Sequence, residues 1–230
     1  VVAFTFFGTI VGYNFVKYDA LARIKKIEMR KELKAIVFLS FLSFLACGYF
    51  FFNLQFKTQM FSFLVLFLTL LYTLSFFPNK KNARNWAGVK IYIVSLCWVG
   101  VTLALPIIDA EIPITTDFYL KCIQRFILVF VLILIFEIID LANDDPHLQT
   151  VPQKIGVKRT KILGMFLLLP FYFLEFLKLN FDSKQLIVNF IMVMMLSLFI
   201  LFAHQNRSKY YTSFWVESIP VLWLGLIYFL

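Results

Sequence analysis

Charged residues are scarce in this sequence, and acidic residues are the scarcer sign. Asp, Glu, Lys and Arg make up 15% of the 230 residues, with 22 basic residues against 13 acidic ones. A soluble domain usually carries about 25% charged residues, whereas this chain is 61% hydrophobic and contains 30 Phe. The shortage of charge excludes an ordinary soluble globular domain and predicts an integral membrane protein.

Cysteine is also rare in this sequence. Cys47, Cys97 and Cys122 all lie within apolar runs. Their spacing fits neither a metal site nor a disulfide framework, so we interpret them as small apolar packing residues.

The first run, Val1–Val16, lacks the basic start and the small-residue cleavage site of a signal peptide. Because it is apolar from its first residue and no Met precedes it, we interpret the chain as N-terminally truncated.

Long apolar runs, in contrast, follow one another along the whole chain. Each approaches the roughly 20 residues that a helix needs to cross a hydrocarbon core about 30 Å thick, and none alternates as barrel strands of about 10 residues do. We therefore predict an all-α polytopic membrane protein with about eight hydrophobic helices in one domain over residues 1–230. The predicted spans are Val1–Val16, Ala35–Phe56, Met60–Phe77, Ile91–Ile108, Phe118–Ile139, Ile162–Phe181, Leu186–Ala203 and Phe214–Leu230, with possible kinks at Pro170 and Pro220.

The loop charges predict an orientation. Seventeen basic residues fall in alternate loops, over residues 17–34, 80–90, 154–161 and 207–209, whereas the opposite loops hold Lys57, Lys178 and Lys184. An excess of basic residues marks cytoplasmic loops, so we expect a bacterial inner membrane protein whose basic loops face the cytoplasm. These basic loops account for the net charge of +9, so nucleic-acid binding is not needed to explain it. The loops would contact anionic lipid.

One acidic stretch interrupts the apolar pattern. Glu137, Asp140 and Asp144 have the spacing i, i+3, i+7 at the cytoplasmic end of the fifth run, so a continuing helix would place them on one face. Acidic residues at such a position are costly unless they are hydrated, paired or bound to a cation. Three of them suit Mg²⁺, which takes few carboxylates and shares the rest of its shell with phosphate. The alternative is an interfacial helix end with solvated acids.

The same stretch carries a family resemblance. Asp140 and Asp144 form a D-x-x-x-D pattern, with Glu137 three residues earlier and Thr150, Pro152 and Gly156 after it. This pattern resembles the second aspartate-rich motif of the UbiA family of intramembrane prenyltransferases. Members of that family resemble nine-helix bundles with both aspartate-rich motifs on the cytoplasmic side. Counting Val1–Val16 as the remainder of the second helix puts the acidic stretch after the sixth, where the family has it.

The first aspartate-rich motif of the family, N-D-x-x-D-x-x-x-D, is matched only at Asn14. Phe15, Tyr18 and Ala22 occupy the positions of its three aspartates, and Asp19 comes one residue late, which on a helix is a rotation of about 100°. The resemblance therefore leaves two alternatives open. One is an active prenyltransferase, and the other is a non-catalytic binding or scaffold protein that keeps the fold.

The resemblance implies transfer of a prenyl group from a Mg²⁺-bridged prenyl diphosphate to a lipid-soluble or aromatic acceptor. Asp140 and Asp144 would be the catalytic metal ligands, with Glu137 as a further ligand or as support for them. Contacts to the diphosphate are expected from Asn14, from Asp19 and from the basic loop before the fourth run, where Lys80, Lys81 and Arg84 are alternatives. A transporter is less favoured than either alternative, because polar residues near the middle of the apolar runs are few.

Overall fold

A computed structural model describes residues 1–24, 31–73, 88–142, 144, 149–208 and 210–230. In these residues the chain is helical and contains no β-strand, which confirms the predicted all-α class. The helices are α1 (Val2–Ile24), α2 (Lys31–Phe52), α3 (Phe56–Thr73), α4 (Val89–Val99), α5 (Leu105–Asp109), α6 (Thr116–Asp140), α7 (Val151–Ile155), α8 (Val157–Phe173), α9 (Ser183–Phe202) and α10 (Ile219–Phe229).

Six helical spans of the described chain are long and apolar enough to cross a membrane, and these are Leu33–Phe52, Val89–Asp109, Thr116–Asp140, Val157–Leu177, Ser183–Phe202 and Tyr211–Phe229. Two shorter apolar helices cover Val2–Phe15 and Phe56–Leu71. Together they correspond to the eight predicted runs. The largest difference is at α1, which ends at Ile24 rather than at Val16. Another is at α8, which begins at Val157 rather than at Ile162. The predicted run missed the polar first turn because it was defined by hydrophobicity.

Two spans change their helical geometry within the apolar run. A π-helical turn, Gly100–Ala104, joins α4 to α5, and another, Tyr211–Val216, precedes α10. Pro220 is the second residue of α10, where its missing N–H leaves no intrahelical bond unmade. Pro170 lies inside α8, which ends at Phe173 and tightens into a 3₁₀ turn over Leu174–Leu177.

The chain divides into two compact units. The first comprises Val1–Leu74 and Gly100–Pro113. Within it α1 packs along α2, the Phe7 and Phe50 rings stack at 6.0 Å, and the Asn14 amide donates to Ser40 Oγ at 2.9 Å. The backbone at Gly100 approaches α3 so closely that a Cβ there would lie 2.8 Å from Val65 Cγ2. A side chain at position 100 would therefore force Val65 to shift, so the crossing favours glycine.

The second unit comprises Ser75–Val99 and Ile114–Leu230, and α6 is its central helix. Helices α4, α8 and α9 pack against α6, and Val131, Ile135 and Ile138 on it are fully buried. A helix that is apolar all round is expected at the centre of a bundle. The other helices leave large apolar side chains exposed, as a lipid-facing surface requires. The position of α6 matters for function because the acidic residues lie at its C-terminal end.

Candidate functional site

The helical turn continues past the last residue of α6. The Asp144 N–H donates a hydrogen bond of 2.9 Å to the carbonyl oxygen of Asp140, one helical turn earlier. This bond places Asp140 and Asp144 on the same side of the turn, as their spacing predicts. Both residues are half-buried, whereas Glu137, one turn earlier on α6, is 3% exposed. The acidic end of α6 therefore has a buried member and a partly accessible pair.

Glu137 is engaged by two other elements of the second unit. Its Oε2 accepts a hydrogen bond from the backbone N–H of Val151 at 3.1 Å. Its Oε1 lies 4.0 Å from Nζ of Lys90, at the start of α4. The positive charge of Lys90 and the negative charge of Asp144 both act on this carboxylate. Glu137 therefore links the starts of α4 and α7 to the end of α6.

The residues that match the later part of the motif form a short turn of helix and its termination. Gln153 Oε1 accepts from the Thr150 N–H at 2.9 Å, which satisfies a donor at the start of α7. Pro152 is the second residue of α7 and needs no N–H partner there. Gly156 separates α7 from α8 with φ = 82°, a conformation that glycine adopts readily. The tail of the motif thus has a definite local structure, fixed to α6 through Val151.

The structure does not gather all three acids into a metal site. Among the described residues, no group of three or more His, Cys, Asp or Glu side chains is arranged to hold a metal ion. Glu137 instead contacts Lys90 and the Val151 N–H. Its role as a metal ligand, and that of the Asp140 and Asp144 pair, therefore stay predictions.

The other predicted site residues lie elsewhere. The amide of Asn14 is hydrogen-bonded to Ser40 within the first unit, so its predicted contact to phosphate would compete with this bond. The backbone of Asp19 belongs to α1, but its side chain lies outside the described residues. Lys80, Lys81 and Arg84 also lie outside them.

Lys90 is the site residue that the sequence analysis missed. The sequence analysis places it in the basic loop before the fourth run, yet in the structure it lies at the start of α4, with its side chain 22% exposed beside Glu137. A basic residue at the first turn of an apolar run, on the same predicted side as the acids, was the available signal. Spacing within one helix gives no information on which residue of another helix lies opposite.

No family model matches the sequence, and neither a curated protein nor a solved structure is detectably similar to it. The relation to UbiA-like prenyltransferases accordingly rests on the motif residues and stays a prediction.

Glu137→Leu should destabilise the protein by about 1–3 kcal/mol, because it leaves the half-buried Val151 N–H without its acceptor and Lys90 without its counter-charge. Glu137→Gln keeps an acceptor for Val151 and should cost less. Thermal unfolding in detergent would measure both, with Glu217→Leu as an exposed control in the same unit. Equal stability of Glu137→Leu and that control would contradict a linking role for Glu137.

Proposed function

We propose that the protein is a UbiA-like prenyltransferase that acts on a prenyl diphosphate in the membrane. The observation that carries this proposal is the acidic pair at the end of α6, where the turn continues through Asp144 with Lys90 beside the preceding acid. Ionisable residues within membrane-spanning segments are costly and are by default a reason to look for a function, which supports a role for acids at the end of this helix. The Thr150, Pro152 and Gly156 pattern directly after them makes diphosphate chemistry the best-supported role.

The donor set of the acidic pair fits Mg²⁺. This ion is usually held by one or two protein carboxylates and completes its shell with water and substrate phosphates. Asp140 and Asp144 supply two carboxylates that are half-buried rather than sealed in the core. When bound there, Mg²⁺ would neutralise the charge that develops on a diphosphate leaving group. Glu137, whose oxygens face Lys90 and Val151, would support the site without binding the metal.

The protein side chains would assist the transfer by position and charge. In the reaction the C–O bond of the allylic diphosphate breaks and its electron pair leaves with diphosphate. A new bond then forms between the prenyl carbon and the acceptor, which loses a proton. Lys90 Nζ lies 4.0 Å from Glu137 Oε1 at the acidic end of α6, and in our proposal it contacts the leaving diphosphate. Glu137 would position Lys90, with Asn14, Asp19, Lys80, Lys81 and Arg84 as further proposed phosphate contacts.

The proposed location is a bacterial inner membrane with the acidic end of α6 at the cytoplasmic side. Six membrane-length helices support an integral membrane protein. The proposed cytoplasmic orientation of the acidic end of α6 rests on the loop charges, because basic residues accumulate in cytoplasmic loops. The acceptor in our proposal is a lipid-soluble or aromatic molecule, which would reach the site from the bilayer.

The test is direct. Purified full-length protein would be incubated with Mg²⁺, prenyl diphosphates from C10 to C50 and a panel of aromatic and lipid acceptors. We expect diphosphate release and a prenylated product with at least one combination, both lost on addition of EDTA. Failure of every prenyl diphosphate to bind or to turn over would overturn the proposal.

A second candidate is a non-catalytic family member, favoured by Phe15, Tyr18 and Ala22 at the aspartate positions of the first motif. The two candidates differ in their need for Asp140 and Asp144. If Asp140→Asn and Asp144→Asn leave the cellular function unchanged, the binding or scaffold role is favoured. If they abolish that function in a folded protein, the enzyme is favoured.

A further inference from the structure

A cationic side chain lies deep along the most buried helix of the protein. Arg125 is nine residues after Thr116 on α6, so its Cα is about 13 Å along the helix axis from that end. An α6 that spans the bilayer would hold Arg125 within the hydrocarbon. Arginine at such a depth is costly, and it normally pairs with an anion, a backbone carbonyl or water.

The described residues give Arg125 no such partner. Its Cζ lies 4.2 Å from the ring centroid of Trp223 on α10, and no hydrogen bond or ion pair of the guanidinium occurs among the described residues. The side chain of the neighbouring residue Gln124 has other partners, because its amide donates to Phe171 O and to Glu175 Oε2. Arg125 is thus held by the face of an aromatic ring while its charge is unpaired.

Trp223 also lacks a hydrogen-bond partner in the described part of the chain. It is 9% exposed, and its buried indole Nε1–H has no hydrogen-bond acceptor in the described part of the chain. A buried donor without an acceptor normally costs about 1–3 kcal/mol and is rare. The Arg125 contact uses the π face of the indole and therefore does not satisfy its N–H. Arg125 and Trp223 are therefore adjacent side chains with unused hydrogen-bond donors. The pair carries one positive charge and contains no acceptor.

The residues around Arg125 and Trp223 restrict the chemistry of a ligand that could accept their hydrogen bonds. Trp223 belongs to the apolar core cluster of the second unit, together with Ile127 and Leu128 on α6. Arg125 itself is half-buried, so part of the residue is accessible from the surroundings of the bundle. A ligand for this place needs an anionic oxygen group for the donors and an apolar body for the surrounding side chains. A small hydrated anion has the first property and lacks the second.

We propose that Arg125 and Trp223 form a binding site for the oxyanion of a single-chain amphiphile, a carboxylate or a phosphate monoester on an alkyl chain. The guanidinium would donate two parallel hydrogen bonds to the oxyanion, and the indole N–H would donate a third. The site is separate from the proposed transferase centre, because Arg125 lies fifteen residues before Asp140, about 22 Å along α6. It does not depend on prenyl transfer.

The experiment uses Trp223 as its own reporter. Full-length protein in a neutral maltoside detergent would be titrated with three dibrominated C18 probes that share a chain and differ in headgroup, namely carboxylate, phosphate monoester and alcohol. Bromine quenches the fluorescence of nearby tryptophan. We expect saturable quenching by at least one anionic probe at a concentration at least tenfold below that needed with the alcohol. Trp223→Phe should remove that component of the quenching.

Variants of the cation make the test specific. Arg125→Gln should weaken binding of the anionic probe at least tenfold, and Lys121→Gln, an exposed cation one turn away on α6, should leave it unchanged. Arg125→Lys keeps the charge without the planar fork and should give an intermediate affinity with folding preserved. Tighter binding of the carboxylate or of the phosphate identifies the headgroup, and either result supports the site. Equal quenching by anion and alcohol, or unchanged affinity in both Arg125 variants, overturns it.

Discussion

Asp140→Asn should lower Mg²⁺-dependent prenyl transfer at least about a hundredfold while the protein stays folded. Loss of an outer-shell partner of a metal ligand typically costs about 10–100-fold, so loss of a ligand itself should cost no less. Asp144→Asn should behave in the same way, because the bond from Asp144 N–H to Asp140 O keeps the two residues together. That bond is between backbone atoms, so neither substitution removes it.

A metal-binding role has a consequence that a structural role lacks. The residual activity of each variant should need a higher Mg²⁺ concentration for half-saturation than the wild type needs. Asp182→Asn is the matched control, because Asp182 is the exposed N-cap of α9 and the amide oxygen of Asn still accepts from Lys184 N–H. Activity unchanged in Asp140→Asn, or equally reduced in Asp182→Asn, would contradict the assignment.

The fold could be predicted from hydropathy because the bilayer imposes a single length on every span. Each long helix corresponds to an apolar run, and the ends differ where polar residues continue a helix beyond its apolar part. Val157–Lys161 is such a case, because its Lys and Arg side chains belong to the first turns of α8. The π-helical turns before α5 and α10 were not predictable, because they depend on tertiary packing, as at Gly100 against Val65.

Side-chain pairs were predictable where the partners lie on one helical turn. Glu175 and Lys178 are three residues apart, a spacing that brings side chains together on one helical turn, and Lys178 Nζ lies 2.6 Å from Glu175 Oε2. Their further partners come from α6 and α9, and no spacing in the sequence identifies them. The same limit applies at Glu137, whose face on α6 followed from periodicity but whose contact with Lys90 did not.

Lys178→Met should destabilise the protein by about 3–5 kcal/mol, the second large effect we expect. Glu175 and Lys178 are 1% and 8% exposed, and Glu175 Oε2 also accepts from Gln124 Nε2 at 3.1 Å and from Asn189 Nδ2 at 2.7 Å. Replacing the lysine leaves a buried carboxylate with neutral donors alone, and breaking a buried ion pair from one side typically costs this much. Thermal unfolding of purified protein in detergent would show the loss as a lower Tm.

Restoring neutrality should recover most of this loss. In the double variant Glu175→Gln with Lys178→Met no buried charge remains, and the Gln oxygen still accepts from Gln124 and Asn189, because an amide oxygen replaces the carboxylate oxygen. A buried pair is often replaceable by neutral residues at little cost, whereas half of a pair is not. Lys184→Met, at an exposed lysine in the first turn of α9, should leave Tm unchanged. A double variant as unstable as Lys178→Met alone would show that the lysine stabilises this end of the bundle through packing rather than through its charge.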